Sequence, residues 1–191
     1  ALDTAWWALE SRIKEKPLYE LLGANRSVVP VGADFGVMDH LDDLLRCIEN
    51  ALADNFPRVK LKYRPGWDLN ILRNVRSHFP KDPIHIDCNS GYRMSSLDEF
   101  RQIDEFNLEM IAQPLQHNDL LDHATLQRCI RTPICLDESI TGLDTTRQAI
   151  EMQSCQYINV KPGRVGGLTT AVQIHDICLK AGIPCWVGGM L

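Results

Sequence analysis

Four short apolar runs in this sequence carry residues able to do chemistry. Residues 58–63 hold Lys60 and Lys62, residues 84–88 hold Asp87, residues 134–140 hold Asp137 and Glu138, and residues 157–161 end on Lys161. Lysines set beside carboxylates suit the removal of a proton next to a substrate carboxylate. That proton is very weakly acidic, so the enediolate dianion needs a cation acting as Lewis acid. The base must be a neutral amine, and burial or neighbouring cations lower a lysine's pKa, so Lys60 and a metal would prepare Lys62. Magnesium binds through a few carboxylates plus water and substrate oxygens, a need that two or three carboxylates on neighbouring strands, among Asp87, Asp137 and Glu138, fit. Each residue also has a plainer reading. Lys60 and Lys62, two apart on a strand, face one way, and spacing alone leaves solvent and interior both open. An acid closing a strand can cap the next helix, although Asp87 lies far from the helix expected to begin near Ser95.

These groups are positioned by alternating elements. Strand-like runs fall at 28–35, 58–63, 84–88, 108–115, 134–140, 157–161 and 183–187. Amphipathic helical stretches fall between them at 40–56, 69–79, 96–106, 120–130, 145–152 and 168–181, and a single helix is expected over 2–22. Seven strands alternating with helices predict an α/β fold with a parallel sheet. One position near each strand end, namely Lys62, Asp87, Ala112, Asp137 and Lys161, recurs every 25, 25, 25 and 24 residues. Such an even step suits equivalent units around a ring, a (β/α)8 TIM-type barrel, better than an open doubly wound sheet. No G-x-G-x-x-G follows the first strand, and Gly163-Arg164-Val165-Gly166-Gly167 after the sixth is a weak phosphate-loop signal. A barrel needs eight strands, so an eighth is expected beyond the seven visible here, and active sites of barrels lie at the C-terminal strand ends.

Composition narrows the classes. The chain has 191 residues, a net charge of −5, 45% hydrophobic and 24% charged residues. Nothing there calls for nucleic acid or an anionic membrane as a partner. No apolar run approaches the roughly 18 residues of a membrane span, and the N-terminus lacks the pattern of a signal peptide. The seven cysteines are scattered without C-x-x-C spacing and read as free, small apolar residues of a reducing, cytoplasmic compartment. His117 and His123 read as surface or capping residues.

The motifs together resemble the o-succinylbenzoate synthase/N-acylamino acid racemase group of the enolase superfamily, whose sites use a lysine or histidine base with magnesium. The matching segments are Lys60-Leu61-Lys62, Asp87-Cys88-Asn89-Ser90-Gly91-Tyr92, Gln113-Pro114-Leu115, Pro133-Ile134-Cys135-Leu136-Asp137-Glu138-Ser139, Asn159-Val160-Lys161-Pro162-Gly163-Arg164-Val165-Gly166-Gly167 and Trp186-Val187-Gly188-Gly189-Met190-Leu191. The resemblance implies Lys62 as base, tuned by Lys60. It implies Lys161 as the opposite lysine, a second acid/base in racemisation or a cation in dehydration. Asp87 and Asp137 would be ligands of Mg²⁺ or Mn²⁺. Asn89, Glu138, Asp34, Gly188 and Met190 would stand beside the substrate or behind the ligands.

Residues 1–27 then correspond to the end of a capping region and residues 28–191 to an incomplete barrel. A stretch without its cap and eighth strand is expected to be inactive alone. Two departures stand out. Ala112 replaces the glutamate that would be the middle metal ligand, which should weaken the metal. Asp34 stands where the first strand usually has a small residue, and either restores the missing charge or binds substrate or a neighbouring lysine. The implied activity is the dehydration of a cyclohexadiene carboxylate in menaquinone synthesis. Racemisation of N-acylamino acids is the alternative, and an impaired barrel kept as a scaffold is the third. The expected partner is a small carboxylate substrate, and a homo-oligomer is possible for barrels of this kind.

Overall fold

A computed structural model of the chain describes residues 1–24, 26–38, 40–66 and 69–190. Leu191, the last residue of the final matching segment, lies outside the described residues. Two helices, α1 (Leu2–Ile13) and α2 (Leu18–Leu21), precede the repeat. Then follow β1 (Ala33–Phe35), α3 (Leu41–Ala53), β2 (Val59–Lys62), α4 (Leu69–His78), β3 (Ile84–Asp87), α5 (Leu97–Ile103), β4 (Ile111–Ala112), α6 (Leu120–Cys129), β5 (Ile134–Leu136), α7 (Leu143–Glu151), β6 (Tyr157–Val160), α8 (Leu168–Ala181) and β7 (Cys185–Val187). Short 3-10 turns flank α5.

The seven strands form one parallel sheet in the order β1 to β7, each paired with its neighbours in sequence. The sheet curls into a half-barrel with its helices outside, the arrangement that the even spacing predicts. The alternation of side chains sorts the strands into two interiors. Val59, Leu61, Ile84, Ile86, Ile111, Ile134, Leu136, Ile158 and Val160 pack outward against the helices as the main core. Met110, Ala112 and Cys135 form a smaller inner cluster with Tyr157 and Trp186. The indole of Trp186 lies under the Arg58 guanidinium, 4.7 Å from ring centroid to Cζ, and packs against that inner cluster.

Some boundaries differ from the sequence pattern. The helix expected over 2–22 is two helices: Glu15 takes a left-handed backbone at φ 50°, and Pro17, which has no N–H to donate, opens α2. The strand expected at 108–115 is only Ile111–Ala112, because Gln113 turns left-handed at φ 39° ahead of Pro114. The strand at 28–35 shrinks to Ala33–Phe35, and Val28, Val29 and Val31 are exposed. By contrast α8 has the expected ends, closed by Gly182 at φ 70° with the Ile183 amide donating to the Cys178 carbonyl, a left-handed stop suited to glycine. All seven cysteines are free, four of them buried and Cys129 exposed. His123 corrects the surface reading. It is fully buried, and Asp119 instead caps α6, accepting from the Asp122 amide at 2.9 Å. Among the described residues no helix is long and apolar enough to cross a membrane.

Candidate active site

Because β2 is paired to β3 with Lys62 opposite Asp87 and Lys60 opposite His85, both lysines project to the inner side of the sheet. The Lys62 ammonium donates to Asp87 Oδ2 at 2.8 Å and to Asn89 Oδ1 at 2.7 Å. Lys60 Nζ lies 3.4 Å from the same Asp87 oxygen and 2.6 Å from Asp34 Oδ2. This settles the choice the spacing leaves open, in favour of the interior. Burial by itself would lower the Lys60 pKa, but Asp34 and Asp87 outweigh it and hold the ammonium above its ordinary value. Burial would likewise raise Asp87. The hydrogen bond and charge of Lys62, followed by Lys60, hold it below the usual carboxylate range. Asp87 also accepts from the Asn89 amide at 3.1 Å, a local turn rather than a helix cap.

The second carboxylate is anchored differently. Asp137 follows β5 and is 1% exposed. Its Oδ1 lies 2.7 Å from an Arg164 guanidinium nitrogen and its Oδ2 3.2 Å from Lys161 Nζ. The Asn159 amide group also donates to Oδ2, at 2.5 Å. Gln113 fixes the backbone from below: its Oε1 accepts from the amides of Asp137 at 2.9 Å and Ser139 at 3.1 Å, and its Nε2 donates to Ser139 Oγ at 2.7 Å and the Leu115 carbonyl at 3.1 Å. The left-handed turn that ends β4 is what points Gln113 across to β5. The two halves are joined by Asn89, whose Oδ1 accepts a hydrogen bond from the Lys62 ammonium and whose Nδ2 donates to Glu138 Oε1 at 2.9 Å.

The structure therefore brings Lys60, Lys62, Asp87, Asn89, Asp137, Glu138 and Lys161 to the C-terminal ends of the strands. Asp34 joins them through Lys60, with its side chain 51% exposed. Ala112, opposite Asp87 in the register, is buried and presents only a methyl group. Gly188 meets Asn159, and Met190 is exposed with its side chain over Gly163. Three residues of the site carry no role in the sequence reading. Asn159 had a signal, since it sits two before Lys161 on one strand and must share its face. Arg164 lies in a glycine-rich loop with no periodicity to reveal its direction. Gln113 depends on a positive φ that sequence does not display.

The chain is also similar to known proteins. The chain is 46% identical to an o-succinylbenzoate synthase of Geobacillus kaustophilus, over 100% of the chain and 51% of the relative. It is 43% identical to an N-succinylamino acid racemase of Thermus thermophilus, over 100% of the chain and 52% of the relative. A crystal structure of an enolase-superfamily member from Enterococcus faecalis superimposes with a TM-score of 0.92 at 40% identity, covering 100% of this chain and 52% of that one. The chain thus spans about half the length of the curated relatives it matches. The family model described as enolase C-terminal domain-like matches residues 43–191. With its parallel half-barrel and its lysines and carboxylates at the strand ends, the chain belongs to the enolase C-terminal domain-like family.

Proposed function

We propose that the protein carrying this chain removes a proton next to a substrate carboxylate, and that its reaction is the dehydration giving o-succinylbenzoate in menaquinone synthesis. One observation carries the reading: Lys62 on β2 and Lys161 at the end of β6 are each set against a carboxylate of their own. Lys60, held cationic by Asp34 and Asp87, stands beside Lys62 on the same face of β2. Lys62 takes the proton, the electron pair moves onto the substrate carboxylate, and the resulting dianion faces the ammonium of Lys161 and the Arg164 guanidinium. The proton on Lys62 then leaves with the departing hydroxyl as water.

Magnesium is the ion that sites of this superfamily use. Asp87 and Asp137 are the carboxylates that would hold it, and each is engaged by two cations. Between them in the ring stands the methyl group of Ala112, and no group of three His, Cys, Asp or Glu side chains comes within ligand reach of one point among the described residues. As the side chains stand they do not fit the ion, and no step above is routed through a metal.

A second reading is racemisation of an N-succinylamino acid, favoured by the presence of both lysines and by relatives of that name at 43% and 41% identity. There Lys161 gives back the proton on the opposite face. Ala112 motivates the third, an impaired barrel kept as a scaffold. Turnover by the full-length protein of the cyclohexadiene carboxylate, and α-proton exchange of an N-succinylamino acid in D2O, separate the three. We expect dehydration, with Lys62→Ala slowing it by about 10²–10⁴-fold. Exchange without dehydration selects racemisation. Loss of both, with recovery in Ala112→Glu, selects the scaffold.

A further inference from the structure

Asn159 lies on β6, opposite Trp186 in the register and 1% exposed. Its Nδ2 donates to Asp137 Oδ2, while its Oδ1 is buried and has no hydrogen-bond partner among the described residues. The orientation of the amide is dictated by charge, since an amide oxygen turned to the carboxylate would be repelled. A buried acceptor without a partner costs free energy. Its persistence indicates that the opposite end of the amide is engaged in something the fold keeps.

Residue 188 supplies the second half. The Gly188 amide donates to the Val160 carbonyl at 3.1 Å, which sets it beside Asn159. A Cβ built on Gly188 would lie 2.6 Å from Asn159 Oδ1, 2.9 Å from Nδ2 and 3.2 Å from Cγ. The whole carboxamide thus fills the space a side chain at 188 would need. No left-handed backbone accounts for glycine here, because Gly188 is not among the positive-φ glycines. The reason is the volume of the amide alone.

We infer that Asn159 is a positioning residue for Asp137, and that position 188 is glycine so that the Asn159 amide can stay against that carboxylate. Asn159 and Lys161 share Asp137 Oδ2, so the amide fixes where the carboxylate stands and, through it, where the Lys161 ammonium is held. The catalytic consequence rests on the proposed proton abstraction; the steric coupling of 159 and 188 does not.

Four forms of the full-length protein test it: the parent, Gly188→Ala, Asn159→Ala and the double variant. Gly188→Ala should lower the melting temperature by about 4 °C, because the new methyl group strikes the amide. In the Asn159→Ala background the same change should cost less than about 1 °C. An equal cost in both backgrounds overturns the coupling. Asn159→Leu keeps the branched outline of the side chain while removing both the donor and the unpartnered acceptor. It should melt within about 2 °C of the parent yet lose about 10–100-fold in kcat/KM. Turnover kept, or lost only in proportion to stability, overturns the positioning role.

Acetylation of Lys161 by acetic anhydride, read by mass spectrometry, needs no turnover. Its rate should change about threefold or more in Asn159→Leu, in either direction, because Asp137 no longer shared with the amide shifts and carries the Lys161 ammonium with it. An unchanged rate overturns the positioning role even in a parent that proves inactive.

Discussion

Asp87 and Asp137 are equally buried and each meets two cations, yet they are held in different ways. Asp87 is gripped by two lysines from one adjacent strand, and Lys62 is 32% exposed with a flexible stem. Asp137 is gripped by a planar guanidinium, a carboxamide and a lysine, and its backbone is tied to Gln113. Planar donors lose less freedom per bond than an ammonium on four methylenes. The β5–β6 side is therefore pre-set and the β2–β3 side is looser, as the proposed proton transfer by Lys62 requires. One ring of strand ends serves as a fixed wall on one side and an adaptable one on the other.

Removing the carboxylates should expose this difference most strongly. Asp137→Ala leaves Lys161 and Arg164, only 17% and 15% exposed, without their partner, and should cost about 3–5 kcal/mol in denaturant unfolding. Asp87→Ala should cost clearly less, because Lys60 keeps Asp34 and Lys62 reaches solvent. An equal cost would break the comparison. Next in size is Gln113→Leu, which leaves the amides of Asp137 and Ser139 unpaired in the interior and should cost about 1–3 kcal/mol.

The acid limb of stability gives a third check on the fixed side. Burial, against the pull of Asp119, holds the His123 imidazole below its ordinary value, and its Nε2 accepts from the Leu115 amide at 3.2 Å only while neutral. The unfolded chain thus takes up this proton first. The stability is whole above about pH 6.5 and is lost as pH falls, by up to about 1.4 kcal/mol per unit. His123→Gln should flatten that slope between about pH 6.5 and 5 in urea titrations run across pH. The smallest effect belongs to Asp34, whose pair with Lys60 is half exposed. Asp34→Ser should cost less than about 1 kcal/mol and leave magnesium affinity unchanged. A drop in affinity would revive Asp34 as a substitute for the missing ligand.

How much of this was legible follows from what kind of signal each residue gives. Period-two alternation marked β2 and β6, so Lys62 and Lys161 were found at strand ends, while the face taken by the β2 lysines stayed open until the structure turned them inward. The even spacing identified the barrel-type repeat, because each unit must fill an equivalent sector of one curled sheet. What the sequence hid depends on contacts between distant segments or on backbone that reverses locally. Gln113 looks like one more polar residue beside a proline, and only its left-handed φ carries it across to β5. His123 looked exposed because it lies on the polar-rich start of α6, but the amide of Leu115 claims its ring. Asp34 could be placed on β1 but not assigned a partner until Lys60 turned inward.

The central claim is that this ring of strand ends works with two carboxylates flanking a methyl group and with cations supplying the remaining charge. Magnesium binding by calorimetry on the full-length protein, beside its Ala112→Glu variant, addresses that claim most directly. The account predicts weak binding by the parent and a gain of about tenfold or more, roughly 1.4 kcal/mol, in the variant. Equal, tight binding by both would contradict it, since the ring would then need no third carboxylate and the cations on Asp87 and Asp137 would offer the ion no resistance.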